Sequence, residues 1–143
     1  MAGRGNLKRS GGPWYGDERR VVLFERATRS IRGLRRATKC GSRTYDLVMD
    51  VEHYGKRRVS ITFLAGSSRP KIMVDGPTDS PHRYEDGSLC IWYPWDSEEQ
   101  RWTARDGLLQ LLGLIALHLF REAWWRETGE WLGPEAPHAA ETN

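Results

Sequence analysis

The sequence contains little cysteine: only Cys40 and Cys90 occur among its 143 residues. Two thiols cannot make a zinc site alone, and the four histidines show no metal-ligand spacing, so we expect no metal. The first twelve residues lack the apolar stretch of a secretory signal peptide. We therefore expect a cytoplasmic protein with free thiols, because disulfides are rare in that compartment.

Phosphate loops and hydrolase motifs are also missing. The chain has no GxGxxG or GxxxxGK[ST] loop and no GxSxG elbow. We expect no cofactor. The apolar run over residues 108–120 is shorter than the roughly 20 residues that span a bilayer, so we expect no membrane partner.

Positive charge is concentrated near the N-terminus. Residues 1–43 hold 12 Lys/Arg and 3 Asp/Glu, a balance of +9, and the remainder holds 10 and 16, a balance of −6, which agrees with the net +3. Such a basic arm can attract nucleic acid or an acidic protein face. Because no nucleic-acid motif accompanies it, we interpret it as a solvated helix surface and expect no nucleic acid partner.

Hydrophobic periodicity predicts an α+β domain. Residues 17–32 can form an amphipathic helix, although Val-Val-Leu-Phe also suits a strand. Alternating apolar residues predict strands over 45–52, 58–65 and 71–75, and a weaker pattern allows one over 34–39. The short turns between them imply an antiparallel meander.

A long apolar helix over residues 104–128 is the clearest element. Thr103 and Asp106 form a capping-box pattern at its start, and Gly129 suits its end. Since the interior is apolar almost all round, we expect this helix to be central and packed on the sheet. We interpret His118 within it as a satisfied histidine and not a ligand.

Composition divides the chain into a flexible basic leader, residues 1–16, one domain, 17–138, and a frayed tail, 139–143. Three aromatic side chains near the ends of the domain are expected to dock on it: Trp14, Tyr15 and Trp131.

Cys90 lies in a Pro- and Gly-rich loop, residues 76–94. Free cysteine is among the most buried residue types, so composition alone favours core filler for both cysteines. The motifs around Cys90 favour a different interpretation. They are Ser-Pro-His-Arg-Tyr-Glu-Asp-Gly-Ser-Leu-Cys at 80–90, Arg-Trp-Thr-Ala at 101–104, and the Arg69-Pro70 turn.

These motifs, in this order, resemble those of the ubiquitin-conjugating enzymes. That family has a proline-rich turn, a His-Pro-Asn motif, a Gly-x-aliphatic-Cys signature and a Trp-Ser/Thr step before the next helix. The resemblance implies a UBC-like fold: an N-terminal helix, an antiparallel meander, a catalytic-cysteine loop and a long C-terminal helix. It also implies a cysteine acyltransferase that carries a protein partner on Cys90 as a thioester.

The sequence departs from the pattern of the eukaryotic enzymes at several points. In these departures it resembles a divergent bacterial branch of the family, which occurs in CBASS antiphage operons. No Asn follows His82, the gap from His82 to Cys90 is shorter than in the eukaryotic enzymes, and the gap from Cys90 to Trp102 is longer. The tail Trp-Leu-Gly-Pro-x-x-Pro-His also fits that branch, and the resemblance covers roughly residues 45–138. It implies a cGAS-like nucleotidyltransferase as the partner loaded through its C-terminus, and an amine as the acceptor.

The resemblance implies that Cys90 and His82 are catalytic, with His82 mainly organising the loop. Gly87 permits a tight turn before Cys90, and Tyr84 is our candidate for the hydrogen-bond donor that replaces the missing Asn. Further supporting residues are the candidate bases Asp86, Glu85 and His138, and Trp102 before the helix. Cys40 has no motif around it, and we expect an incidental thiol.

Two other classes of function remain open. One is an inactive UBC-like scaffold that binds a partner protein, although the retained cysteine favours activity. The other is a basic nucleic-acid-binding domain, although the basic segment lacks the patterned aromatics of single-strand binders.

Overall fold

Four strands form an antiparallel meander in which each strand pairs with the next along the chain. The computed structural model describes residues 12–67, 69–92 and 96–133. The strands are β1 (Arg35–Lys39), β2 (Ser42–Val51), β3 (Gly55–Leu64) and β4 (Lys71–Val74). The helices are α1 (Glu18–Phe24) and α2 (Leu108–Thr128), with 3-10 turns at Trp14–Gly16 and Ala104–Asp106. The predicted meander, including the weak first strand, is confirmed.

One face of the sheet is the core, and α2 packs on it. The alternating residues that predicted the strands are buried, among them Tyr45, Ile61 and Ile72. From α2, the buried side chains of Leu111 and Ile115 belong to the same core cluster. This α+β arrangement is consistent with the UBC-like fold that the resemblance implies.

The predicted N-terminal helix over 17–32 is too long, because α1 ends at Phe24. Asp17 caps its start by accepting a hydrogen bond from the Arg19 N–H at 3.0 Å. The chain then turns, and Ala27 takes a φ of +67°, which no α-helix allows.

The physical reason for this early end is a buried carboxylate. Glu25, 2% exposed, accepts hydrogen bonds from Arg36, Arg43 and the Tyr45 hydroxyl. Although burial alone raises the pKa of Glu25, these partners lower it below its usual value. The chain bends after Phe24 so that Glu25 can reach β1 and β2.

The long C-terminal helix is divided, which corrects the predicted start at residue 104. The capping box is confirmed, since the Thr103 N–H donates to Asp106 Oδ2 at 2.8 Å, but it caps the 3-10 turn. Gly107 then takes a φ of +90°, and α2 starts after it. The predicted stop at Gly129 is confirmed by its left-handed conformation.

The expected docking of Trp14 and Tyr15 is confirmed. The Trp14 ring centroid lies 4.1 Å from that of Phe24, and the Tyr15 hydroxyl donates to the Gly41 carbonyl at 2.5 Å. The predicted frayed tail, 139–143, and most of the predicted leader fall outside the described residues. Within the described ranges, no helix has the length and apolar character needed to cross a membrane.

Candidate functional site

Cys90 ends a small hairpin that begins at His82. The Cys90 N–H donates to the His82 carbonyl at 2.8 Å, and the Tyr84 N–H donates to the Ser88 carbonyl at 2.8 Å. Gly87 closes the turn with a φ of +89°, a conformation that favours glycine. The hairpin therefore holds the cysteine backbone against the histidine backbone.

A buried ion pair attaches this hairpin to α2. Arg83 Nε lies 2.6 Å from Glu122 Oε2, and its Nη2 lies 2.8 Å from Oε1. The Ser80 hydroxyl also donates to Glu122, at 2.5 Å, while Arg83 Nη1 reaches the Gly87 carbonyl at 2.5 Å. Burial alone raises the pKa of Glu122, but the hydrogen bonds from Arg83 and Ser80 and the nearby His118 hold it well below its usual range. This carboxylate thus ties the hairpin to α2.

The Cys90 thiol is buried, with a residue exposure of 7%, and its sulfur lies 3.6 Å from the Trp92 carbonyl oxygen. Burial raises the pKa of this thiol, and the nearby Tyr84 hydroxyl and the Arg69 charge oppose that rise. Cys90 therefore needs assistance to ionise at neutral pH.

Tyr84 and Arg69 form the other side of the thiol environment. The Arg69 guanidinium lies 4.2 Å from the Tyr84 ring centroid. The Tyr84 hydroxyl is buried and makes no hydrogen bond of ordinary geometry among the described residues. Burial and the neighbouring thiol raise the pKa of Tyr84 to about 12, so the hydroxyl keeps its proton. It is available as a donor beside Cys90.

A cavity of about 50 Å³ lies on the α2 side of Cys90. Trp131 docks over it, as expected, with its ring 4.5 Å from His82 and 5.4 Å from His118. The cavity is lined by His82, Cys90, Ile91, Trp92, His118, Arg121 and Trp131.

The remaining predicted residues lie in different surroundings. Asp86 accepts from the N–H and hydroxyl of Ser88, at 2.9 and 2.6 Å, and pairs with Lys71. These hydrogen bonds lower the pKa of Asp86 to about 2, which makes it a weak proton acceptor. Trp102 is buried, donates to the Gly107 carbonyl at 2.8 Å and stacks on Trp92.

Three further candidates complete the set. Glu85 is exposed in the hairpin turn, and Cys40 is exposed in the turn between β1 and β2. His138, a predicted supporting residue, lies outside the described residues.

Sequence reasoning missed His118 and Glu122 as site residues. Both are buried on the side of α2 that meets the Cys90 hairpin. A signal was present: His118 interrupts an apolar stretch, and Glu122 follows four residues later, so the two side chains lie one above the other on a helix. Pairing them with Arg83 requires the tertiary structure.

Comparison with known proteins gives one family. The family model described as "Type II CBASS E2 protein" matches residues 23–139. No curated protein and no solved structure matches the chain.

Proposed function

The chain belongs to the type II CBASS E2 protein family, and on that premise we propose that Cys90 carries a protein C-terminus as a thioester and passes it to an amine. The family gives the chain an E2-like role in CBASS antiphage defence. The partner in our proposal is a cGAS-like nucleotidyltransferase. The observation that carries the proposal is the position of Cys90, on a hairpin tied to α2 by the Arg83–Glu122 pair and beside the Tyr84 hydroxyl, which makes no ordinary hydrogen bond among the described residues.

The proposed reaction has two acyl transfers. In the first, the Cys90 thiolate attacks the carbonyl carbon of an activated C-terminus, the new C–S bond forms, and the previous carrier leaves with its electron pair. In the second, an amine attacks the thioester carbon, the C–N bond forms and the C–S bond breaks, and the leaving Cys90 thiolate takes up the proton that the amine loses. Both steps pass through a tetrahedral oxyanion, which hydrogen-bond donors stabilise.

Each hairpin residue has a role in this proposal. His82 organises the loop: its carbonyl holds the Cys90 N–H, and its ring packs on Trp131. The Tyr84 hydroxyl donates to the sulfur or to the oxyanion in place of the family's Asn. Asp86 stabilises the turn through Ser88, since its low pKa makes it a weak base.

A partner-binding scaffold without chemistry is the second candidate. The burial of Cys90, with its raised pKa, favours it, because a carrier thiol must meet another protein. The carrier function requires that the residues covering Cys90 shift aside when the partner docks.

Mass spectrometry of the protein purified with its operon neighbours tests the proposal. We expect an adduct on Cys90 that a thiol reductant removes, and a Cys90→Lys variant that keeps the same partner as a stable amide. Cys40→Ser, the matched control at the exposed thiol, should form the adduct normally. If neither Cys90 nor Lys at that position acquires any neighbour, the scaffold is the better account.

A further inference from the structure

His118 is a buried histidine on the side of α2 that faces the Cys90 hairpin. Its side chain is 6% exposed, and its Nε2 lies 3.2 Å from Oε2 of Glu122, which is fully buried. This contact lacks the geometry of an ordinary hydrogen bond among the described residues, so Glu122 places the ring by charge and packing. An imidazole that carries one proton has a second ring nitrogen that accepts another. The side chain of His118 therefore offers a base to the cavity that it lines.

The cavity joins this base to the nucleophile, since Cys90 and His118 both line it. Its volume of about 50 Å³ has room for a water molecule, and one water can pass a proton between two groups that do not touch. The thiol needs such a route, because burial raises its pKa. The charged and titratable groups around His118 are Glu122 and Arg121 on α2, His82 and Arg83 on the hairpin, and Arg126, which lies 3.6 Å from Glu122.

We propose that His118, oriented by Glu122, is the base that deprotonates Cys90. The S–H proton passes to a water molecule in the cavity, which gives up a proton to a ring nitrogen of His118. The sulfur keeps the bonding electron pair and becomes the thiolate that attacks the incoming carbonyl carbon. Glu122 is a positioning residue, because it acts through His118. The biological purpose of this step rests on the proposed function of Cys90.

Alkylation of the two cysteines by iodoacetamide, followed by mass spectrometry across pH, tests the proposal without any partner. In His118→Gln, we expect Cys90 to react at least about 10-fold more slowly near neutral pH, the scale of a lost general base. At a pH above that of thiol ionisation, both proteins should react at the same rate, because the thiolate then forms without a base. Cys40 is the internal control, and at each pH it should react at the same rate in His118→Gln as in the wild type.

His53→Gln is the matched variant, since this histidine is 77% exposed, and it should keep the wild-type profile. Identical profiles for wild type and His118→Gln overturn the proposal. An equal loss at every pH also overturns it, because the substitution then changes access to the thiol and not proton transfer.

A separate measurement distinguishes this result from failure of the carrier function. A synthetic peptide thioester offers an acyl group directly to Cys90. A protein with the His118-dependent alkylation profile that never accepts this group contradicts the carrier proposal and leaves the base assignment intact.

Discussion

The Tyr84 hydroxyl is buried beside the Cys90 thiol without an ordinary hydrogen bond among the described residues, which makes it a costly group to keep. We expect Tyr84→Phe to slow acyl transfer about 10- to 100-fold, towards the effect of removing one oxyanion donor. The melting temperature should stay equal or rise, because a buried unsatisfied polar group is removed. Single-turnover discharge of loaded Cys90 and thermal unfolding measure the two effects. Unchanged transfer would exclude Tyr84 as the donor.

Glu122 makes a second prediction at the residue scale. Its pKa is lower in the folded protein than the ordinary 4.5, so it stabilises the fold above that value and the stabilisation is lost as the pH falls further. We expect Glu122→Gln to lose about 3–5 kcal/mol at neutral pH, because Arg83 becomes a buried unpaired charge. As the pH is lowered, the free energy of unfolding should also fall less steeply in this variant than in the wild type.

Urea unfolding at several acidic pH values measures this slope. Glu99→Gln, at an exposed position, is the control that should keep the wild-type slope. Parallel curves for Glu122→Gln and wild type would show that the carboxylate is not held by its partners in solution.

At the scale of elements, the hairpin before Cys90 depends on Gly87. Its φ of +89° disfavours any side chain, and an added Cβ would lie 3.2 Å from Cγ2 of Thr78. We expect Gly87→Ala to destabilise the protein by about 1–2 kcal/mol and to displace Cys90. Gly113→Ala is the matched control: this α2 position leaves open space around a Cβ among the described residues, so a gain of about 0.5–1 kcal/mol is expected. Urea unfolding measures the free energy of unfolding of both variants. An equal change in the two variants would contradict a strained turn at Gly87.

The two helices show how far periodicity predicts elements. The strands and the end of α2 were predictable, because alternation and the Gly129 stop are local signals. The end of α1 was not, because Glu25 is fixed by partners from β1 and β2. Gly107, inside the predicted helix, marks the break before α2.

At the scale of the whole molecule, the candidate site combines two segments that are distant in sequence, the Cys90 hairpin and α2. The loop that carries Cys90 could be predicted, because its motif lies within residues 80–90, but its pairing as a hairpin was not. The α2 contribution could not, since Arg83 and Glu122 are 39 residues apart and only the fold brings them together. The interpretation of His118 as a satisfied histidine and not a ligand used its helix alone, and the cavity that it shares with Cys90 is a tertiary feature.

The most direct test of the carrier proposal is the intact mass of the protein after incubation with a synthetic peptide thioester. We expect one added acyl group that a thiol reductant removes, and this group should be retained in Cys40→Ser and lost in Cys90→Ala. An unmodified mass, or a modification that persists in Cys90→Ala, would contradict it.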